Sequence, residues 1–512
     1  MTKKSFLTST IIVAVTTILV RFIGFFREVA LAGVYGMGTV SDAFIVAFTA
    51  PSTLLALFGG AVGTFIPIYS LEKTDKKAFT NNVLTCLLAA GLLFSVIFTI
   101  FPQALALLFA SQFDPETFEL TADFLRIMVW CAVPVLMSGV LASFLQIKKA
   151  FFMSAIGTIP MNVFVISTIL LSRPTDSLWL MGAGFTIGHT VVLCMFLYFA
   201  KRKGHAFRPH FNLKMPEMRE MLILAAPVLM STAFMEIRLI IEKNFASSLP
   251  SGSVSALSYS NRVINVLISI ISGSVATVLF PRMSELAGTG EIRLLKNTVV
   301  GCTKRLFPLL LPTSAGIFIL ARPIVWIIFE RGSFTPEDTT RTAECMSMYA
   351  LMILPASLNP LIIRAFYAIR DTKWPAAISI MQIGIHVPLN ILLIGPLQHM
   401  GLALTTSIVF FVAFALYILI LRKKLGSLGL KSQLKEFGKS VLATLVMSVA
   451  VWFGQSHMPL MSGGTTQGIA LTGGLIIAGA GFYLLLMTAM RAEFVEENWR
   501  YAWGVFGRRK RV

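Results

Sequence analysis

Apolar runs of about 20 residues or more, parted by short basic loops, follow one another along this chain, and little else can be built from them. A helix needs about 20 such residues to cross the hydrocarbon of a bilayer. On that scale the runs fall at about 6–34, 42–70, 78–110, 118–147, 152–172, 178–200, 217–247, 254–284, 298–329, 338–368, 375–395, 399–421, 438–456 and 467–490. The reading is therefore an all-α polytopic membrane protein with fourteen transmembrane helices. With 56% hydrophobic and 13% charged residues among 512, no soluble fold fits the balance. Pro51, Pro160, Pro308, Pro312 and Pro355 mark expected kinks.

The loops give the orientation. Alternate loops carry Lys73, Lys76 and Lys77; Lys148 and Lys149; Lys201, Arg202, Lys203, Arg208 and Lys214; Arg293 and Lys296; Arg370 and Lys373; and Arg422, Lys423, Lys424, Lys431, Lys435 and Lys439. The ends add Lys3, Lys4 and the tail Arg508, Arg509, Lys510 and Arg511. In the opposite loops only Arg173 and Arg331 stand out. The positive-inside rule then puts both termini in the cytoplasm. A net charge of +19 spread over loops in this way is no nucleic-acid footprint. The first span is too long for a cleavable signal and lacks a small-residue cleavage site. Cys86, Cys131, Cys194, Cys302 and Cys345 lie scattered in apolar spans and read as small buried hydrophobes.

An internal echo organises the spans. Gly38-Thr39-Val40-Ser41 opens the second span and Gly252-Ser253-Val254-Ser255 the eighth. The same 214-residue offset pairs Gly59 with Gly273, Pro67 with Pro281 and Ser70 with Ser284. A shorter echo relates Phe144–Lys148 to Phe366–Arg370. Two pseudo-symmetric six-helix lobes follow, with two further helices: residues 1–203, 204–425 (opening on a basic linker) and 426–512 with the basic tail. Parallel repeats of this kind are a transporter architecture, with the site between the halves.

Polar residues inside the spans are few. Arg21 and Arg27 sit in the first span with Glu28, although a mid-membrane arginine costs roughly 2.5–3.5 kcal/mol. Asp42 stands at the mouth of span two, and Asn261, Arg262 and Asn265 in span eight. Arginines from two lobes would make a cationic cavity, and the guanidinium fork suits phosphate. The plainer alternatives are ion pairs of Arg27 with Asp42 or Glu28, or an Arg27 that snorkels to the interface. Span seven carries Glu236 and Arg238, with Glu242 and Lys243 further along. Gln382, His386 and Asn390 share one face of span eleven, which suits Na⁺, a proton relay or a plain polar helix contact. No P-loop, HExxH, GxSxG or loop carboxylate cluster is present, so the chain reads as a transporter and not an enzyme. Glu330-Arg331-Gly332 and Phe334-Thr335 read as a turn with a Thr cap before span ten.

Arg21-Phe-Ile-Gly24-Phe-Phe-Arg27-Glu28, Tyr35-Gly36, Ser41-Asp42-Ala43-Phe44 and Pro51 closely resemble the N-terminal signature of the MurJ/MviN family. The resemblance continues through Asn261-Arg262, Phe329–Thr335, Phe366–Pro375 and Leu389–Gly401, covering about residues 10 to 425. It implies a lipid II flippase of the multidrug/oligosaccharidyl-lipid/polysaccharide exporter superfamily, moving undecaprenyl-diphosphate-linked peptidoglycan precursor to the outer leaflet by alternating access. It also implies substrate-binding roles for Arg21, Arg27 and Arg262, with Asn261 and Asn265 beside them, and gating or ion-pair roles for Glu28 and Asp42. A coupling-ion region would include Asn390, Glu236, His386 and Gln382, using Na⁺ or H⁺, with the membrane potential as the other source of direction. No other cofactor is expected. Expected partners are the glycolipid, membrane lipids and cell-wall synthases, with a monomer as the working unit. Family members often carry charges where this chain has Leu55, Ala56 and Gly60, and acids around the span-eight arginine where this chain has Asn261 and Asn265. These departures keep open a flippase for another polyprenyl-diphosphate saccharide, such as a teichuronic acid, capsule or O-unit. A cation-coupled small-molecule exporter is the rival of another class.

Overall fold

In hydrocarbon every backbone N–H and C=O must find its partner inside the protein, so an apolar chain of this kind becomes helix. The computed structural model describes residues 3–71, 74–289, 291–426, 430–461 and 464–496, and no strand occurs among them. Lys73 and the basic tail fall outside the described residues. The helices are α1 (Lys3–Tyr35), α2 (Thr39–Gly63), α3 (Phe65–Tyr69), α4 (Lys76–Ile100), α5 (Pro102–Ala110), α6 (Pro115–Met128) and α7 (Ala132–Ile147). Then come α8 (Phe151–Ala155), α9 (Thr158–Ser172), α10 (Trp179–Arg202), α11 (Pro216–Ser247), α12 (Ser253–Gly288) and α13 (Ile292–Ile319). The last are α14 (Ala321–Phe329), α15 (Pro336–Ala350), α16 (Ile353–Ala368), α17 (Lys373–Leu425), α18 (Leu430–His457) and α19 (Thr465–Ala489).

Among the described residues eight helical stretches are long and apolar enough to cross a membrane, with α6–α7 and α8–α9 each counting as one, and up to ten spans result if each of two bent pairs also counts as one. The bent pairs are α13 with α14, at 72°, and α15 with α16, at 42°. Helices α1, α11 and α12 are not among the eight; they carry the charges singled out above. Of the expected kinks, Pro51, Pro308 and Pro312 lie inside helices, whereas Pro160 and Pro355 fall in the first turns of α9 and α16. There the chain is already broken, and proline begins a new helix instead of bending an old one. Spans eleven and twelve are joined as α17 across a kink at Gln398, whose φ of 48° is non-helical.

Several of the breaks leave carbonyls that other helices satisfy. Between α6 and α7 the chain tightens to a 3₁₀ turn, and Thr186 of α10 donates to Ile127 O (2.9 Å) while Ser95 of α4 donates to Val129 O (3.0 Å). Where α15 ends, Ser407 donates to Met348 O and Ser314 to Ala350 O, both at 2.7 Å. Pro312 has no N–H for the carbonyl of Pro308, and the Tyr483 hydroxyl of α19 donates to that carbonyl at 2.8 Å. Sequence periodicity marks none of these bonds, yet they are what make broken helices tolerable in lipid.

Two compact units result, one of Met1–Arg262 with Arg331–Asp338 and one of Val263–Glu330 with Thr339–Val512. The first keeps α11 and the start of α12 with the helices before them, and α12 runs on into the second. Its core carries buried Phe44, Phe65, Phe79, Phe109, Phe124 and Phe144, with Phe44 edge-on to Phe124 at 5.7 Å. In the second unit one cluster joins Met283, Ile362, Phe366, Ile378 and Tyr417, and another joins Met447, Val451, Leu460 and Tyr483. Within the first unit the turn before α15 closes as expected: Thr335 Oγ1 accepts from Asp338 N–H (3.2 Å) and Asp338 Oδ2 from Thr335 N–H (3.0 Å). Gly332, at φ 63°, lies against Gly33 so closely that a Cβ there would sit 2.1 Å from the Gly33 carbonyl oxygen.

Candidate site: a shared carboxylate between two arginines

Arg27 lies on α1 with only 4% of its surface exposed, and Glu28, its neighbour, with 8%. Consecutive residues on a helix point about 100° apart, and the long side chains bridge that angle. Arg27 Nη2 stands 2.5 Å from Glu28 Oε1. Two further groups hold the guanidinium. Asn162 of α9 turns its amide nitrogen to the Thr158 carbonyl (2.9 Å), which leaves its Oδ1 facing Arg27 Nη1 at 3.4 Å. The Phe48 ring of α2 lies under the guanidinium, 3.8 Å from its carbon, in a cation–π contact. Phe48 in turn rests on Phe185 of α10, whose ring meets His189. Arg27 is thus held on one face by Phe48 and at its edge by Glu28 and Asn162.

Arg262 reaches the same carboxylate from α12. Its Nη2 is 3.6 Å from Glu28 Oε1, and its side chain is 37% exposed. Gly24 makes room for it: a Cβ at Gly24 would already touch Arg262 Nη2 at 3.4 Å. One carboxylate therefore serves two guanidiniums, and the trio keeps a net charge of +1. Arg27 is the anchored member and Arg262 the one with a free-facing edge. Arg21 lies six residues before Arg27, about 120° round the helix, and is exposed. Asn261 and Asn265 flank Arg262 on α12, both half-buried.

Of the two ion-pair partners considered for Arg27, the structure selects Glu28. Asp42 is engaged elsewhere: its carboxylate accepts from the N–H of Gly252 (2.7 Å), the N–H of Ser255 (2.8 Å) and the Ser255 hydroxyl. It caps the first turn of α12 from the mouth of α2, a favourable place for a negative charge. The two copies of the repeat motif therefore meet here, with the acid after the first copy serving the helix that the second one opens. The later repeat pairs ending at Gly273, Pro281 and Ser284 lie where side chains of α12 are outside the described residues.

The coupling-ion candidates lie in both units. Glu236 of α11, in the first unit, is half-buried and faces Thr53 of α2. Nearby on α11, Arg238 pairs with Glu242 at 3.3 Å, and Lys243 donates to Ser258 of α12 at 2.7 Å. In the second unit His386 and Asn390 are fully buried, with Asn390 Nδ2 3.0 Å from His386 Nδ1 and His386 Nε2 3.5 Å from Thr406 Oγ1. Asn390 Oδ1 and Thr405 Oγ1 are buried without a hydrogen-bond partner among the described residues. Gln382, one turn earlier, is half-buried. No group of three or more His, Cys, Asp or Glu side chains suited to a metal occurs among the described residues.

Sequence reasoning passed over Asn162, Phe48 and His189. The first carried a signal, being a lone amide in an apolar span; the ring of Phe48 carried none.

An all-helical, membrane-spanning chain with charges buried among its helices falls in the class of membrane transporters. The family model described as "Lipid II flippase MurJ" matches residues 31–466, and the chain belongs to that family. A probable lipid II flippase MurJ of Rickettsia prowazekii is 32% identical over 410 residues, 78% of this chain and 80% of that protein. The corresponding protein of Thermotoga maritima is 29% identical over 481 residues, 93% and 95% of the two chains. Among solved structures, a lipid II flippase MurJ in an inward closed conformation superposes with a TM-score of 0.79 at 22% identity, covering 94% of this chain and 98% of that one. An inward-facing multidrug MATE transporter of the MOP superfamily reaches 0.67 at 17% identity, over 81% and 98%.

Proposed function

We infer that this chain is a lipid II flippase of the bacterial inner membrane, a transporter that moves the polyprenyl-diphosphate-linked peptidoglycan precursor outward and breaks no bond. Family membership over most of the chain supports the activity, and the Glu28 carboxylate shared by Arg27 and Arg262 is the observation that carries the mechanism. A diphosphate is a better acceptor than a carboxylate already held by Arg27. On arrival it takes the exposed edge of Arg262 by bidentate hydrogen bonds, while Arg27 stays on Glu28, Asn162 and Phe48. Arg21 adds a second exposed cation on α1, and Asn261 and Asn265 supply hydrogen bonds to the sugar side. Exchange of Glu28 for substrate at Arg262 loosens the tie between α1 and α12, which is a route from binding to alternating access.

Fourteen crossings with both termini cytoplasmic, in two six-helix lobes plus two helices, is the topology we adopt. It is supported by a continuous or broken helix under every apolar run and by the one-sided basic loops. The working unit is a monomer, since both repeats lie in one chain, and its partners are cell-wall synthases that consume the delivered lipid. Direction comes from Na⁺, a proton or the membrane potential. The buried oxygens of Asn390 and Thr405 suit a monovalent cation, His386 a proton; if transport depends on Na⁺, Asn390→Leu should abolish that dependence, and a wild type indifferent to Na⁺ removes the cation reading.

The decisive experiment is rescue of cells depleted of their own lipid II flippase. The wild-type chain should rescue and an Arg21→Ala/Arg262→Ala variant should not. Normal flipping by that double variant overturns the mechanism. Failure of the wild type, with rescue of a capsule-flippase mutant, reassigns the saccharide, as the uncharged Leu55 and Ala56 would then favour.

A further inference from the structure

We propose that the stretch 206–214, between α10 and α11, is a strap lying on the membrane surface, and that its partner is the anionic headgroup layer of the cytoplasmic leaflet. The leaflet rests on the orientation adopted above; the headgroup chemistry does not. The strap carries no helix, but its backbone is tied down at alternate residues. Arg208 N–H donates to Asn81 Oδ1 (3.1 Å), His210 N–H to Thr85 Oγ1 (3.0 Å) and Asn212 N–H to Asn82 Oδ1 (2.6 Å). Asn82 Nδ2 returns a bond to the Asn212 carbonyl at 2.9 Å. Three N–H groups two residues apart on one side define an extended chain. Asn81, Asn82 and Thr85 of α4 thus do for it what a neighbouring strand would do.

This lacing sets the depth of the strap. Its anchors lie five to nine residues into α4, about 8–14 Å along the helix from Lys76. The strap therefore runs level with the second and third turns of a transmembrane helix, not out in the cytosol. Pro209 and Phe211 share one side of the extended chain, and Leu213 follows in the turn that leads to α11. Phe211 and Leu213 are 60% and 61% exposed. Arg208 and Lys214 bracket that apolar pair, and Lys201, Arg202 and Lys203 precede it at the end of α10. Glu217 and Glu220 in the first turns of α11 are the acidic groups nearest in sequence. Apolar side chains flanked by cations, at interfacial depth, fit the boundary between acyl chains and anionic headgroups. A protein partner would need to reach the same depth in the bilayer.

The test uses the full chain in detergent, titrated with phosphatidylglycerol, phosphatidylcholine or soluble glycerol phosphate, with the unfolding temperature as readout. Phosphatidylglycerol alone should raise it. At about 1 kcal/mol per basic residue near an anionic surface, Arg208→Gln/Lys214→Gln should raise the half-maximal concentration roughly 30-fold. Phe211→Ser/Leu213→Ser should shrink the shift with both charges in place. Asn82→Ala, which unlaces the strap, should also lose it while retaining every lipid-facing side chain. A charge variant that titrates like wild type overturns the proposal, as does an equal shift with glycerol phosphate. Labelling of a Pro209→Cys variant in intact cells by an impermeant maleimide, above the wild-type background, would overturn the orientation and leave headgroup binding standing.

Discussion

Replacing Glu28 by glutamine keeps the shape of the side chain and one acceptor but removes the negative charge that Arg27 and Arg262 share. Both partners of the inner pair are buried, with side chains 5% and 10% exposed. Removing one member of such a pair strands the other charge and costs on the order of 3–5 kcal/mol. Here the loss also leaves two guanidiniums facing each other. Unfolding entropy of roughly 2.1 cal/mol/K per residue gives about 1.1 kcal/mol/K for 512 residues, so the expected fall is roughly 3–5 °C. The assay is thermal unfolding of purified protein at a fixed scan rate, because unfolding of a large membrane protein is read kinetically. Arg27→Met should fall by a similar amount, since it leaves Glu28 with the more distant Arg262 alone. The double variant Glu28→Gln/Arg27→Met should lose less than the sum of the two single losses, because neither charge is then stranded. Additive losses, or an unchanged unfolding temperature for Glu28→Gln, would refute the shared-carboxylate account.

Three other outcomes follow from the geometry. Arg262→Ala should leave stability nearly unchanged, because its 3.6 Å contact is partly exposed, yet weaken lipid II binding roughly 10- to 150-fold, the worth of about 1.5–3 kcal/mol of charged hydrogen bonding. Asp42→Ala should cost about 1–2 kcal/mol as a lost helix cap, with faster amide exchange at Gly252 and Ser255 as its mark. Asp114 caps α6, and hydrogen bonds from the Thr117 hydroxyl and N–H hold its carboxyl below the usual 3.8. Its contribution is complete above that unfolded value and lost as pH falls through the lower folded one, so Asp114→Asn should flatten the acid limb of the stability profile.

The helical plan was legible because a bilayer demands length and apolarity, both of which a sequence shows directly. The breaks were not, except at prolines. The 3₁₀ turn at Val129–Cys131 depends on Ser95 and Thr186, far away in the chain, and Pro160 and Pro355 looked like kinks because sequence does not show that a helix had already ended. At the site, cost was the useful signal. Arg27 and Glu28 were conspicuous as charges in hydrocarbon, whereas Asn162 and Phe48 come from other helices and only packing reveals that they hold the guanidinium.

Asp42 is the instructive case, because sequence allowed it to be either a partner for arginine or a member of a gate. The repeat held the missing hint. Gly38-Thr-Val-Ser41 is followed by aspartate and Gly252-Ser-Val-Ser255 by alanine, so one copy has an acid that the other lacks. In the structure that single acid closes the start of α12, with its charge taken up by two backbone N–H groups and a hydroxyl. It is therefore not available to neutralise the arginines. Among the described residues Glu28 is the carboxylate that pairs with Arg27 and Arg262, and the trio keeps a net positive charge. A site that had balanced its own charges would have to break two ion pairs to take a diphosphate. This one need only release the longer, more exposed contact at Arg262, while the buried pair that orients α1 remains intact.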